Sequence, residues 1–187
     1  MRMRPIAHFK TITKHKLLVM RYCFSVGLYR QGLMHDLSKY SPSEFWVGAR
    51  YYQGNQSPNN AERMDRGYSA AWLHHKGRNK HHFEYWLDYS LDRSKPIEGM
   101  KMPLRYAVEM FLDRVAAGQI YNGDQFTPSN PLEYYEHGRA KPLLHPKTRE
   151  LLEFLLHMYA EKGQTDTFRY VKEEILAKND WNGYNNS

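Results

Sequence analysis

Apolar residues in this chain recur at three- and four-residue intervals and nowhere settle into a run of strand-like alternation. After Pro103, Leu104, Val108, Phe111, Leu112 and Val115 form one stripe; near the N-terminus His8, Ile12, His15 and Val19 follow a four-three-four spacing. Both patterns put their members on one face of a helix, so the chain is confined to an all-α fold, a bundle of helices joined by polar loops. A first helix is expected over about Ile6–Leu28, with a break bracketed by Gly27 and Gly32 and a short second helix from Leu33 to Tyr40. Ser41-Pro42-Ser43-Glu44 predicts a helix start with a capping box, the helix running to about Tyr52. After a loop over Gly54–Asn60, a fourth helix over Ala61–Leu73 delivers His74 and His75, and Lys76–Lys80 ends it. The stretch Asn122–Lys141 reads as loop-rich. Two last helices are expected near Lys147–Glu161 and Asp166–Ala177, with a frayed tail over 179–187. The chain has no internal repeat and no low-complexity tract, and residues 1–178 read as one domain.

At 187 residues the chain is long enough to bury a core without covalent staples. It contains no apolar stretch of about eighteen residues, which excludes a membrane-spanning helix. The N-terminus is basic but lacks the apolar core of a secretory leader. Cys23 is the single cysteine, so no intrachain disulfide can form and a cytoplasmic setting is expected. A formal charge of +7 favours an anionic partner, a phosphorylated small molecule ahead of a nucleic acid, because no block of consecutive basic residues appears. Oligomeric state is not encoded in any pattern of this chain.

Chemistry concentrates in one ordered set. His35-Asp36, within Gly-Leu-Met-His-Asp-Leu-Ser-Lys-Tyr, offers a divalent metal a nitrogen and an oxygen from one short stretch of backbone. His15 lies upstream on the first helix. Asp113 lies on the helix after Pro103, off its apolar stripe and four residues after Glu109. Between them stand four histidines in nine residues, His74, His75, His81 and His82. A mid-helix aspartate is disfavoured by propensity, which points Asp113 toward function.

The order H…HD…D, on His15, His35, Asp36 and Asp113, resembles the HD-domain metal-dependent phosphohydrolase superfamily over roughly Ile6–Ala117. The resemblance implies an HD-domain-like helical bundle with a metal site between helices and those four residues around the principal metal. Lys39, three residues after the pair, matches the place where several HD subfamilies put a lysine for substrate phosphate. Multinuclear subfamilies carry further histidines, for which His74 or His75 and His81 or His82 are candidates; His74 is expected as a ligand and His75 and His81 in catalytic roles beside Asp36 and Lys39. No histidine stands between Asp36 and His74, where such subfamilies usually have one, and Glu62 is expected as the substitute ligand for a hard metal. Gly77-Arg78-Asn79-Lys80 replaces the glycine- and proline-rich string of the cyclic-dinucleotide-cleaving branch, so that substrate is not implied. The whole chain also resembles an uncharacterised bacterial family that carries no assigned activity.

The expected cofactor is one or two divalent ions among Mn, Fe, Ni, Co, Zn and Mg, and the expected reaction is hydrolysis of a small phosphorylated metabolite or nucleotide by a metal-activated water. Lys39, Arg78 and Lys80, with Lys76 beside them, are expected to hold the phosphate. Two other readings stay open at this point: a metal-binding module without catalysis, acting as a sensor or nucleic-acid-associated adaptor, and an oxygen-activating di-iron centre. Outside the set, His8 is expected at the surface or capping the first helix, His137, His145 and His157 as structural or exposed, Trp72, Tyr85 and Trp86 as packing side chains, and Cys23 as a buried apolar one.

Overall fold

A computed structural model describes residues 3–54, 56–138 and 140–186. The expectations for Met1, Arg2, Asn55, Arg139 and Ser187 fall outside these residues. Among the described residues the chain is all-α. Its eight helices are α1 (Pro5–Val26), α2 (Tyr29–Met34), α3 (Pro42–Tyr51), α4 (Pro58–Arg66), α5 (Ala70–Lys76), α6 (Leu104–Asn122), α7 (Asn130–Glu136) and α8 (Pro146–Tyr170). A two-stranded antiparallel hairpin, β1 (Leu87–Tyr89) and β2 (Ile97–Gly99), pairs Asp88 with Glu98 between α5 and α6. No described helix is long and apolar enough to cross a membrane.

Helix α1 packs on α2, α3 and α6, and α8 packs on α6 and also meets α1. The stripes read from the sequence meet in one core: Val19, Cys23 and Val26 of α1, Val108, Phe111, Leu112 and Val115 of α6, and Leu151, Leu152, Leu155 and Leu156 of α8 are all buried. Gly32 lets α2 lie against α1, since a Cβ there would come within 3.0 Å of Cys23 Cβ and 3.1 Å of the Met20 carbonyl. That approach holds the end of α2, and with it His35-Asp36, over the middle of the bundle.

The fold departs from the sequence reading at four places. The single helix expected over Ala61–Leu73 is two, because Gly67 adopts φ +78° after α4 and Ser69 then caps α5, its Oγ accepting from Trp72 N at 3.0 Å. The loop-rich Asn122–Lys141 segment contains α7. The helix expected from Leu33 to Tyr40 does not form, since α2 occupies the expected break and Leu37–Tyr40 is a 3-10 turn; the last two helices fall where expected, with the break at Gly163 (φ +72°) and a π-helical stretch over Val171–Leu176. The tail is not frayed: Trp181 and Tyr184 are buried, and the Tyr184 hydroxyl donates to the Met102 carbonyl at 2.6 Å, where the chain enters α6. Aromatic side chains at the chain's end find an apolar seat between α6 and α8 that no local pattern announces. Tyr184→Ala is therefore expected to lower the unfolding free energy by about 3–5 kcal/mol in urea titration, where a frayed tail would leave it unchanged.

Candidate metal centre

The site is assembled from four stretches of chain. On α1 the buried face that carries Ile12 and Val19 also carries His15. At the end of α2 the backbone leaves the helix at His35 (φ −52°, ψ 127°), and Asp36 sits in the left-handed region at φ +55°. Aspartate is among the few side chains that tolerate this conformation. The turn carries both side chains inward, so that His35 and Asp36 are buried side by side. The Lys16 ammonium fastens it, donating to the Leu33 and His35 carbonyls at 2.8 Å each. On α6, Glu109 and Asp113 stand one turn apart, on a flank turned from the apolar stripe. His75 comes from α5, and His81 and His82 from the turn that follows.

These stretches place two groups of ligand atoms around Asp36. In the first, His15 Nε2 lies 2.9 Å from Asp113 Oδ1 and 3.6 Å from Asp36 Oδ2, and His35 Nε2 lies 3.4 Å from each of those oxygens. In the second, Asp36 Oδ1 lies 3.2 Å from His75 Nε2 and 3.4 Å from His81 Nε2, and His75 Nε2 lies 2.9 Å from His82 Nε2. Ligands about 2.1 Å from one ion are on the order of 3–3.5 Å from one another, so both groups have the spacing of a coordination sphere. His35 Nε2, Asp36 Oδ1 and His81 Nε2 are buried and have no hydrogen-bond partner. Buried polar atoms are ordinarily satisfied. Three unsatisfied ones, all aimed into these two groups, fit a cation that uses their lone pairs.

Behind the ligand atoms lies a layer of carboxylates. Glu109 Oε1 accepts from His35 Nδ1 at 2.9 Å and from His81 Nδ1 at 3.1 Å. Glu44 Oε2 accepts from His75 Nδ1 at 2.8 Å, and its Oε1 from His74 Nδ1 at 2.6 Å. Bonds from Nδ1–H leave the Nε2 lone pairs to face the groups, as in protein sites where a carboxylate orients a ligating histidine. His35, His81 and Glu109 also stand close enough to be a third metal-holding set, but the hydrogen bonds at Nδ1 make it the back of the first two. Asn79 supports the turn, donating to the His75 carbonyl and to Ser38 Oγ at 2.8 Å each.

The field of these groups favours positive charge. Burial opposes ionisation of Asp36, yet His35 and Lys39 outweigh it and hold its carboxyl well below the usual carboxylate range. Asp113 is likewise held well below, burial being overcome by the bond to His15 and the nearness of His35. Burial disfavours a charged His35, but the Asp36 charge, the nearness of the Asp113 carboxylate and the bond to Glu109 carry its pKa well above the ordinary imidazole value. At His82 burial prevails, joined by the charges of His81 and His75, and its pKa lies well below. Lys39 reaches Asp36 Oδ2 at 2.5 Å while its side chain stays 29 % exposed.

The structure thus gathers His15, His35, Asp36, Asp113, His75 and His81 and adds His82, which the sequence offered only as the alternative to His81. Glu62 is a correction: its buried carboxylate accepts from Ser69 Oγ at 2.6 Å and from the Ala70 and Ala71 amides, so it is spent on the N-terminus of α5, outside both groups. His74 is a second correction, since it turns to Glu44 and stands beyond the ligand groups. Glu44 itself does not complete a capping box; Ser41 makes no capping bond, and the carboxylate is drawn inward by the two histidines. Of the expected phosphate ligands only Lys39 touches the centre. Arg78 is exposed with its guanidinium on the His74 carbonyl, Lys80 is exposed over the Tyr85 ring, and Lys76 is half-buried on α5. Glu109 and Glu44 were missed. Glu109 carried a signal, its position one turn from Asp113, whereas Glu44 matched a local motif that explained it equally well. As expected, Cys23 is buried, Trp72 packs on His82 at 4.7 Å between ring centroids, and His137 and His157 are exposed; His145 caps α8.

These features define an all-α protein with two buried histidine–carboxylate groups that could each hold a metal ion. The chain belongs to the Family of unknown function (DUF5662), whose profile matches residues 4–158, a span that contains every residue of the centre. No curated protein matches the chain, and no solved structure does.

His8 is a further correction, being buried rather than at the surface. Its ring packs against Phe45 at 5.5 Å and Tyr52 at 5.9 Å, and its edge fills the space where a side chain on Gly48 would stand. Burial, with the charge of Lys39 second, lowers its pKa to about 4. A histidine depressed in the folded state contributes stability above its unfolded value of about 6.5 that is lost as pH falls toward 4. His8→Gln removes that titration, so its melting temperature relative to wild type is expected to rise between pH 7 and pH 4.5 in calorimetry.

Proposed function

We propose that this protein is a metal-dependent phosphohydrolase of HD type, acting on a small phosphorylated metabolite or nucleotide, with a pair of divalent ions sharing Asp36. The observation that carries the reading is Asp36 itself: one buried carboxylate turns Oδ2 to His15 and His35 and Oδ1 to His75 and His81, within two groups that Asp113 and His82 complete. The order of the first four residues along the chain supports the HD assignment. Mixed imidazole and carboxylate donors suit Mn, Fe, Co, Ni or Zn better than Mg. A bound divalent ion supplies a water that is deprotonated near neutral pH and a positive charge for a phosphoryl oxygen.

The remaining work falls to the chain. Asp36 and Asp113 offset the ionic charge, and the Nδ1 bonds to Glu109 and Glu44 keep three imidazoles aimed. Lys39, whose ammonium lies on Asp36 with its side chain partly exposed, binds and orients the phosphate. The chain's excess of positive charge favours approach of an anionic substrate.

A panel of phosphomonoesters and nucleotides assayed with Mn²⁺, Co²⁺, Ni²⁺ and Mg²⁺ tests this. Turnover is expected with at least one metal, abolished by chelation and reduced on the order of 10³-fold or more in Asp36→Ala and Asp113→Ala. Lys39→Met is expected to raise KM about 10–100-fold, the worth of a charge-assisted bond. Metal uptake with silence across the panel would instead assign a non-catalytic metal-binding role, and iron-dependent absorbance that responds to oxygen would assign oxygen activation.

A further inference from the structure

We propose that Glu109 is a positioning residue that couples the two ligand groups, so that both bind metal well or neither does. This rests on the metal reading above and goes beyond it, because Glu109 belongs to neither group. Its single oxygen Oε1 accepts from His35 Nδ1 at 2.9 Å and from His81 Nδ1 at 3.1 Å, and the Nε2 atoms of those rings face different groups, His35 the first and His81 the second. The two rings lie against one another, with centroids 4.3 Å apart and planes tilted by 33°. Neither ring can turn about its χ angles without breaking a bond to the same oxygen or striking the other ring. The carboxylate is buried, so water does not replace a lost partner.

Once one ion has fixed the first ring, the oxygen and the second ring are already ordered, and the entropy of ordering them is not spent again at the other group. Glu44 provides the contrast. Its bonds go to His75 of the second group and to His74, which faces neither, so it supports one group alone.

Titration of the full chain with Co²⁺, followed by visible absorption and by calorimetry, tests the proposal. Glu109→Ala is expected to weaken both binding steps about 10–100-fold, the usual loss when the partner of a ligating histidine is removed. Glu44→Ala is expected to weaken one step only. Glu109→Gln, whose Oε1 can accept the same two bonds without the charge, is expected to return both steps to within about tenfold of wild type. Where Glu109→Ala does not fold, Glu109→Gln carries the comparison, with similar weakening of both steps expected. Glu109→Ala weakening one step alone, or neither, overturns the coupling, as does Glu109→Gln weakening one step far more than the other.

Failure of wild type to take up any Co²⁺ would sink the metal reading and the coupling with it, but not the ring orientation. That part is read from imidazole nitrogen NMR of the metal-free protein. There the His35 and His81 signals are expected to shift together in Glu109→Ala and to be recovered in Glu109→Gln. Signals that stay unmoved would overturn it.

Discussion

A carboxylate buried at the meeting point of several helices has to be surrounded by donors or cations, because the cost of stripping its water is several kcal/mol. Asp36 is that carboxylate here, and it shapes its surroundings. The left-handed turn that delivers it, the Lys16 ammonium that closes the carbonyls before it, Lys39 against one oxygen and five imidazoles around both are answers to that one buried charge. Conformational strain at a non-glycine left-handed residue is small against what a misplaced charge would cost, so the turn is held by the site rather than the reverse.

Helix α6 makes this arrangement compatible with a stable fold. Val108, Phe111, Leu112 and Val115 anchor it in the apolar core with α1 and α8, while Glu109 and Asp113 look toward the histidines. One rigid helix therefore registers the core against the site, and the spacing of one helical turn sets the distance between Asp113 and Glu109. Glu44 plays the orienting part from α3, so the second layer is built on helices throughout. The chain's two short polar layers, ligands in front and carboxylates behind, are spent on orientation, while stability comes from the apolar half of the bundle and from the C-terminal aromatics that seal it.

Much of this was legible along the chain. His15, His35, Asp36 and Asp113 could be chosen because their order and their helical setting reduce the ways they can meet, and α1, α3 and α6 follow from periodicity and helix-start chemistry. Glu62 and His74 were chosen for residue type and proximity in sequence, and both failed for the same reason: each found a nearer partner, the α5 amides for Glu62 and Glu44 for His74. Glu109 and Glu44 escaped because a glutamate on a helix is unremarkable until its neighbours are known. His8 escaped because a polar ring near a helix start is indistinguishable, in one dimension, from one packed between Phe45 and Tyr52.

By itself the sequence determined the all-α class, the apolar stripes that build the core, and the residue types able to hold a metal, since these depend on local spacing and on side-chain chemistry. Only the tertiary structure decided that His75 and not His74 joins the centre while His81 and His82 both do, that Asp36 presents one oxygen to each group, and that Glu109 stands behind both. Those outcomes turn on angles between helices and on which of several competing partners lies within about 3 Å. No periodicity along the chain records either.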